Sequence, residues 1–203
     1  MKNLIRVGLI SLTLTFAATA HAQLGGLLGG GSSGSGGPSP ESVIKNYVEG
    51  AKAVLQAQGK LLLAMGKKQE AAATDLQAQN LTEGATKQNL EDSVKTQTEN
   101  SKLIEENLKA KGTVLDAAAK VIYAQGLGYF GTGVTKYISL IRDLKSFKPS
   151  VTSLGSAGQS AVYVAQTLPG NMSTFSSTLK NAIDFGKAQG VEIPSGATVQ
   201  DSI

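Results

Sequence analysis

Three glycines in the stretch "AQGLGYFGTG", Gly126, Gly128 and Gly131, stand at the G-x-G-x-x-G spacing of a loop that cradles the pyrophosphate of a dinucleotide, and Gly133 follows two residues on. Such a loop needs a strand before it, a helix after it and an acid about twenty residues further along. "KVIYA" could supply the strand and Asp143 the acid. The residues around the motif argue otherwise. "TVLDAAAK" directly upstream is strongly helical, and Leu115, Ala119, Ile122, Gly126, Tyr129, Gly133, Tyr137, Leu140 and Leu144 recur at threes and fours straight through the glycines. No other alternation of strand and helix exists to build a nucleotide-binding sheet. The expected element is one helix over about 113–147. Gly126, Gly128, Tyr129, Phe130, Gly131 and Gly133 are then a candidate packing or interaction segment, where that helix bends or meets a neighbour closely.

Two other arrangements could do chemistry. Ser42 with Lys45, and Ser177 with Lys180, have the Ser-x-x-Lys spacing in which a lysine helps deprotonate a serine one turn away. The Ser-Asp-Asn and Lys-Thr-Gly partners of that mechanism are absent from the sequence. Glu91–Asp92 and Glu105–Glu106 are carboxylate pairs, but adjacent residues on a helix point about 100° apart and cannot face one cleft. They read as surface acids, and oxygen-only metal binding through them is equally weak. No catalytic, cofactor or metal residue is assigned.

Composition narrows the chemistry further. The N-terminus has Lys2 and Arg6, an uncharged apolar run from Val7 to Ala18, and Ala20-His21-Ala22 as a cleavage signal, which together read as a secretory signal peptide over 1–22. The expected location is the periplasm, with the extracellular space second. Cleavage would remove the only histidine, and the chain has no cysteine. That excludes Ser-His-Asp and Cys-His catalysis, His or Cys metal sites and disulfides. Net charge falls from +4 to +2 on cleavage, and Arg142 becomes the one remaining arginine. Nucleic-acid readers rely on arginine forks and stacking aromatics, so that partner class is excluded.

The elements follow an all-α plan: a long antiparallel helical hairpin plus further helices, forming an elongated helical bundle over 41–190. Residues 23–40, "QLGGLLGGGSSGSGGPSP", are a Gly/Ser-rich tether. From Pro40 and Glu41 a heptad seam of Ile44, Val48, Ala51, Leu55, Gln58, Leu62, Met65, Gln69, Ala72 and Leu76 predicts one continuous helix. Beside it Gly50, Ala57, Ala64, Ala71, Ala78 and Ala85 repeat at sevens, a line that would admit one neighbour closely. Gly59 and Gly66 each cost this helix about 1 kcal/mol relative to alanine.

After a turn near Gly84, a return helix to about Lys111 has the seam Leu90, Val94, Gln97, Ser101, Ile104 and Leu108. Its polar middle, Gln97 and Ser101, leaves room for movement or a partner. Glu41–Lys45, Glu91–Lys95 and Glu105–Lys109 are spaced as helical ion pairs, and Lys95, Lys102 and Lys109 form a solvated line.

Between Lys148 and Lys180 no residue is charged. Two helices are expected in this low-charge region, about 151–168 and 172–189, divided at Pro169-Gly170 with Asn171 as N-cap, and then an extended or loose tail over 191–203. The function expected is non-enzymatic: an exported protein whose partner is another protein or a second copy of itself. The alternative is a membrane-active helical protein, pore-forming or lipid-binding, that inserts segment 121–141; lipid or small-ligand carriage between helices is a further option.

Overall fold

The computed structural model describes residues 37–110, 112–148 and 155–198. The expected signal peptide and all but the last residues of the tether lie outside them. The described residues form an all-helical bundle of five helices: α1 (Pro40–Ala64), α2 (Lys68–Asn80), α3 (Lys87–Lys109), α4 (Ala117–Leu144) and α5 (Ser156–Ala188).

Local chemistry sets most of the helix ends. The Ser39 hydroxyl accepts from Ser42 N at 3.2 Å, and Pro40 occupies the first turn of α1, where its missing N–H costs nothing. α3 starts on a reciprocal capping box between Thr86 and Asn89. Asp116 caps α4 by accepting from Ala119 N at 2.8 Å. α5 ends at Gly190, whose φ of 70° only glycine adopts cheaply.

The expected continuous helix over 41–80 is broken after Ala64. Gly66 takes φ 79°, its N–H donates to Leu63 O at 3.0 Å, and Lys67 N–H donates to Leu62 O at 2.8 Å. This pair of bonds closes the last carbonyls of α1 and turns the chain back. Gly59, by contrast, stays helical because α2 folds onto it: a Cβ there would lie 3.3 Å from Asp75 Cγ. The break rotates α2, so Ala71, Thr74 and Ala78 are buried while the seam residues Gln69, Ala72 and Leu76 face solvent. Small residues are the ones that fit between two helices folded this closely.

The reversal also changes the hairpin. α1 and α3, expected to run antiparallel, run in the same direction: Lys45 meets Glu83, whereas Gln58 meets Gln97 and Ser101. The helices therefore alternate in direction from α1 to α5. α4 lies antiparallel along α1 in the most extensive interface of the bundle, and α5 packs on both α3 and α4.

α5 is one helix where two were expected, and it continues through Pro169. Pro169 and Gly170 are exposed, so the carbonyl one turn back, which loses its N–H partner, can bond to water. Leu168 and Met172 on either side are buried and hold the two halves in line. Asn171 is mid-helix and caps nothing.

Of the tail expected over 191–203, residues 191–198 are described and are not loose, while 199–203 lie outside the described residues. The described part runs mostly extended, makes a 3₁₀ turn at Ser195–Ala197 and buries Val191 and Ala197. This strap lies on α4.

Candidate functional site

The glycine-rich segment occupies the middle of α4, ten or more residues past its N-cap. Mid-helix N–H groups are spent on the carbonyls one turn back and cannot cradle a phosphate, which settles the motif as helical. Each glycine meets a different surface. A Cβ on Gly133 would fall 2.6 Å from Val54 Cγ2, 2.9 Å from Val54 N and 3.1 Å from Gly50 O, so α1 backbone occupies the space. One on Gly126 would meet Leu61 Cδ2 at 3.0 Å and Ala57 O at 3.2 Å. α1 reciprocates at Gly50, where a Cβ would lie 2.8 Å from the Tyr137 ring.

Gly131 faces the strap instead, and a Cβ there would collide with the Gly196 carbonyl and lie 2.7 Å from Ala197 Cα. Gly128 is the loosest, with Pro194 at an ordinary 3.8 Å. Phe130 is fully buried among the core residues, and Tyr129 is 43% exposed. The six residues thus divide into packing positions (Gly126, Phe130, Gly131, Gly133) and a surface pair (Gly128, Tyr129).

Tyr129 opens onto a groove between α1, α2 and α4 with a volume of about 600 Å³. Leu63, 39% exposed, also lines it, with Lys52, Gln56, Asp75 and Gln79 around them. Lys60 Nζ stands 5.7 Å over the Tyr129 ring and donates to Gln125 Oε1 at 3.1 Å. The result is an aromatic and an aliphatic side chain in a rim of amides, lysines and the Asp75 carboxylate.

Beneath that surface, the polar middle of the α3 seam is filled from within the chain. Gln58 Nε2 donates to Gln97 O at 2.8 Å and to Ser101 Oγ at 3.0 Å. Gln97 Nε2 donates to Ser93 Oγ at 3.0 Å, and Tyr137 OH donates to Gln97 Oε1 at 2.9 Å. Asn100 Nδ2 reaches Thr74 Oγ1 at 2.9 Å. Tyr47 stacks on Tyr137 at 5.5 Å, and Tyr137 on Phe175 at 5.8 Å. Burial pushes the Tyr47 and Tyr137 hydroxyls well above the usual phenol range, and Tyr123, which donates to Ala182 O at 2.9 Å, is raised by burial too. The room expected around Gln97 and Ser101 is thus taken by α1, α2 and α4. Reading the sequence missed this network; its trace was Gln58 and Gln97, each a polar residue at a seam position of its own helix.

The remaining candidates do not converge. Ser42 sits in the exposed first turn of α1, and Lys45 Nζ lies 3.8 Å from Glu83. Ser177 is exposed, and Lys180 pairs with Asp184 at 2.8 Å, which raises the ammonium and lowers the carboxyl through their hydrogen bond. Glu91 pairs with Lys87 rather than Lys95, while Glu105 pairs with Lys109 as spaced and also accepts from Thr178 at 2.9 Å. Lys95, Lys102 and Lys109 are all exposed. Among the described residues no three Asp, Glu, His or Cys side chains are grouped to hold a metal ion. No family model, no curated protein and no solved structure matches this chain.

Proposed function

We propose that this chain is a non-enzymatic, exported helical protein that acts in the cell envelope or outside the cell through contact with another protein or with a second copy of itself. The groove between α1, α2 and α4 carries the reading. It sets Tyr129 and Leu63, both more than a third exposed, within a rim of Lys52, Lys60, Gln56 and Gln79. A rigid amphipathic aromatic with an apolar neighbour and a polar rim is the composition of a protein-binding anchor. The non-enzymatic part rests on the sequence, which after signal cleavage holds neither His nor Cys. It is supported by the serine–lysine pairs lying on the surface, with their lysines engaged by acids. Export rests on the sequence of residues 1–22 alone.

The bilayer-inserting alternative draws less support. Among the described residues no helix is long and apolar enough to cross a membrane, and segment 121–141 is locked against α1 by Gly126 and Gly133.

Photo-crosslinking from a reactive residue at Gln56, in the exported protein within its own cells, tests the proposal. A discrete adduct is expected, to a second copy or to one other protein, and Tyr129→Ala should abolish it. Absence of any adduct, together with a strictly monomeric mass by light scattering, would contradict the reading.

A further inference from the structure

The break between α1 and α2 turns on one residue, Gly66. α1, α3 and α4 begin on capping side chains, whereas α2, like α5, has none; Lys67 stands at its N-cap and Lys68 follows, positive charges that the helix dipole disfavours and that Glu70 in the same turn only partly offsets. The heptad spacing passes through the break without a shift, as Leu62, Met65, Gln69, Ala72 and Leu76. In the folded chain the last three of these are exposed, Leu76 by 58%. Nothing lies within 4 Å of where a Gly66 Cβ would be, so no crowding demands the turn there. The turn exists because Gly66 tolerates φ 79° and because α2 finds α1 to pack on.

α1 can supply that packing to another copy. Among the described residues it is the first helix of the bundle, and Met65–Lys67 join it to the next. If the turn straightens, Pro40–Asn80 becomes a single helix along its own heptad spacing, and α1 moves away from the bundle of its own chain. A second copy in the same state restores the helix–helix contacts of α1 in trans: Val54 against Gly133, Gln58 against Gln97, Gly59 against Asp75. Such a reciprocal exchange closes on itself with two-fold symmetry and adds an interface where the straightened segments meet. We propose that this protein forms an arm-exchanged dimer in which α1 of each copy completes the bundle of the other, with Gly66 as the hinge. The inference rests on the self-association form of the proposed function and names its partner and route. α1 fills the core, so the choice between closed and exchanged forms is made during folding.

The chain has no cysteine, which allows a direct test in the full mature protein. Gly59→Cys with Asp75→Cys places two thiols across the α1–α2 contact, within one chain in the closed form and between chains in the exchanged form. Refolding over a range of concentrations under oxidising conditions, followed by non-reducing electrophoresis and native mass spectrometry, reads the ratio. A covalent dimer that increases with concentration is expected. Gly66→Ala, which favours helix over the left-handed turn, should raise the ratio by roughly tenfold. Intrachain bonds alone at every concentration, with either hinge, would overturn the exchange; the native-hinge series decides it even if Gly66→Ala does not fold. A chain that still crosslinks from Gln56 while never exchanging α1 removes this inference and leaves the interaction reading in place.

Discussion

α1 meets α4 and α3 by opposite means. Against α4 the contact is steric: Gly126 and Gly133 on one side, Gly50 and Ala57 on the other, let the backbones approach until Val54, Leu61 and Tyr137 fill what remains. Against α3 the contact is polar: Gln58, Gln97, Asn100 and Ser101 exchange hydrogen bonds in a fully buried layer capped by the Tyr137 hydroxyl. Both fix register, by different physics. A glycine seam permits one alignment because any shift drives a side chain into backbone, while an amide layer permits one alignment because any shift leaves buried donors without acceptors. Tyr137 belongs to both, with its ring against Gly50 and its hydroxyl on Gln97.

The steric seam should be the less forgiving. Gly133→Leu puts its first carbon within 3 Å of Val54 N, an atom that cannot move without α1, and should cost about 3 kcal/mol or prevent folding, read by urea unfolding. In the polar layer, Gln97→Leu deprives Tyr137 OH of its acceptor, and should cost about 2 kcal/mol. The same protein with Tyr137→Phe added should recover part of that loss, which a double-mutant cycle would resolve.

The buried phenols also give the bundle a pH limit. Tyr47, Tyr123 and Tyr137 have hydroxyls raised by burial, so the folded state holds their protons more tightly than the unfolded chain does. Their contribution is therefore complete below the unfolded phenol value of about 10 and is lost as pH rises above it. Tyrosinate absorbance and helical circular dichroism should change together in alkaline titration. Separate transitions would mean that these hydroxyls reach water without unfolding.

The smallest effect is expected at the loosest glycine. Gly128→Ala meets only Pro194 at ordinary contact distance and gains helix propensity, so stability should stay within about 1 kcal/mol of the parent or rise. A loss as large as that of Gly133→Leu would erase the distinction between packing and surface glycines.

Much of this was legible in the sequence where period and caps agree. α4 falls inside the helix predicted from threes and fours, and the buried Ala71 and Ala78 come from the small-residue line at sevens. The heptad spacing misled at Gly66, since a period records which side chains could share a face and not whether the backbone stays helical between them. Pro169 misled in the other direction: proline is a strong breaker, yet with the freed carbonyl near water and Leu168 and Met172 buried on either side, packing overrides it. The amide layer was hidden because Gln58 and Gln97 come level only when α1 and α3 run in the same direction, not in the antiparallel hairpin that the sequence predicts. The Tyr129 groove was half visible, since the segment was marked by its glycines while Leu63 and Lys60 arrive from another helix.

Native-state hydrogen exchange tests most directly whether the glycine-rich segment is the packed interior of the bundle. The amides of Gly126 to Gly133 should exchange only with global unfolding, with the full denaturant dependence of that transition, while those of α2, which buries three small side chains, should open earlier. Exchange of 126–133 as early as α2 would show that these glycines soften α4 instead of locking it to α1, and would contradict the account.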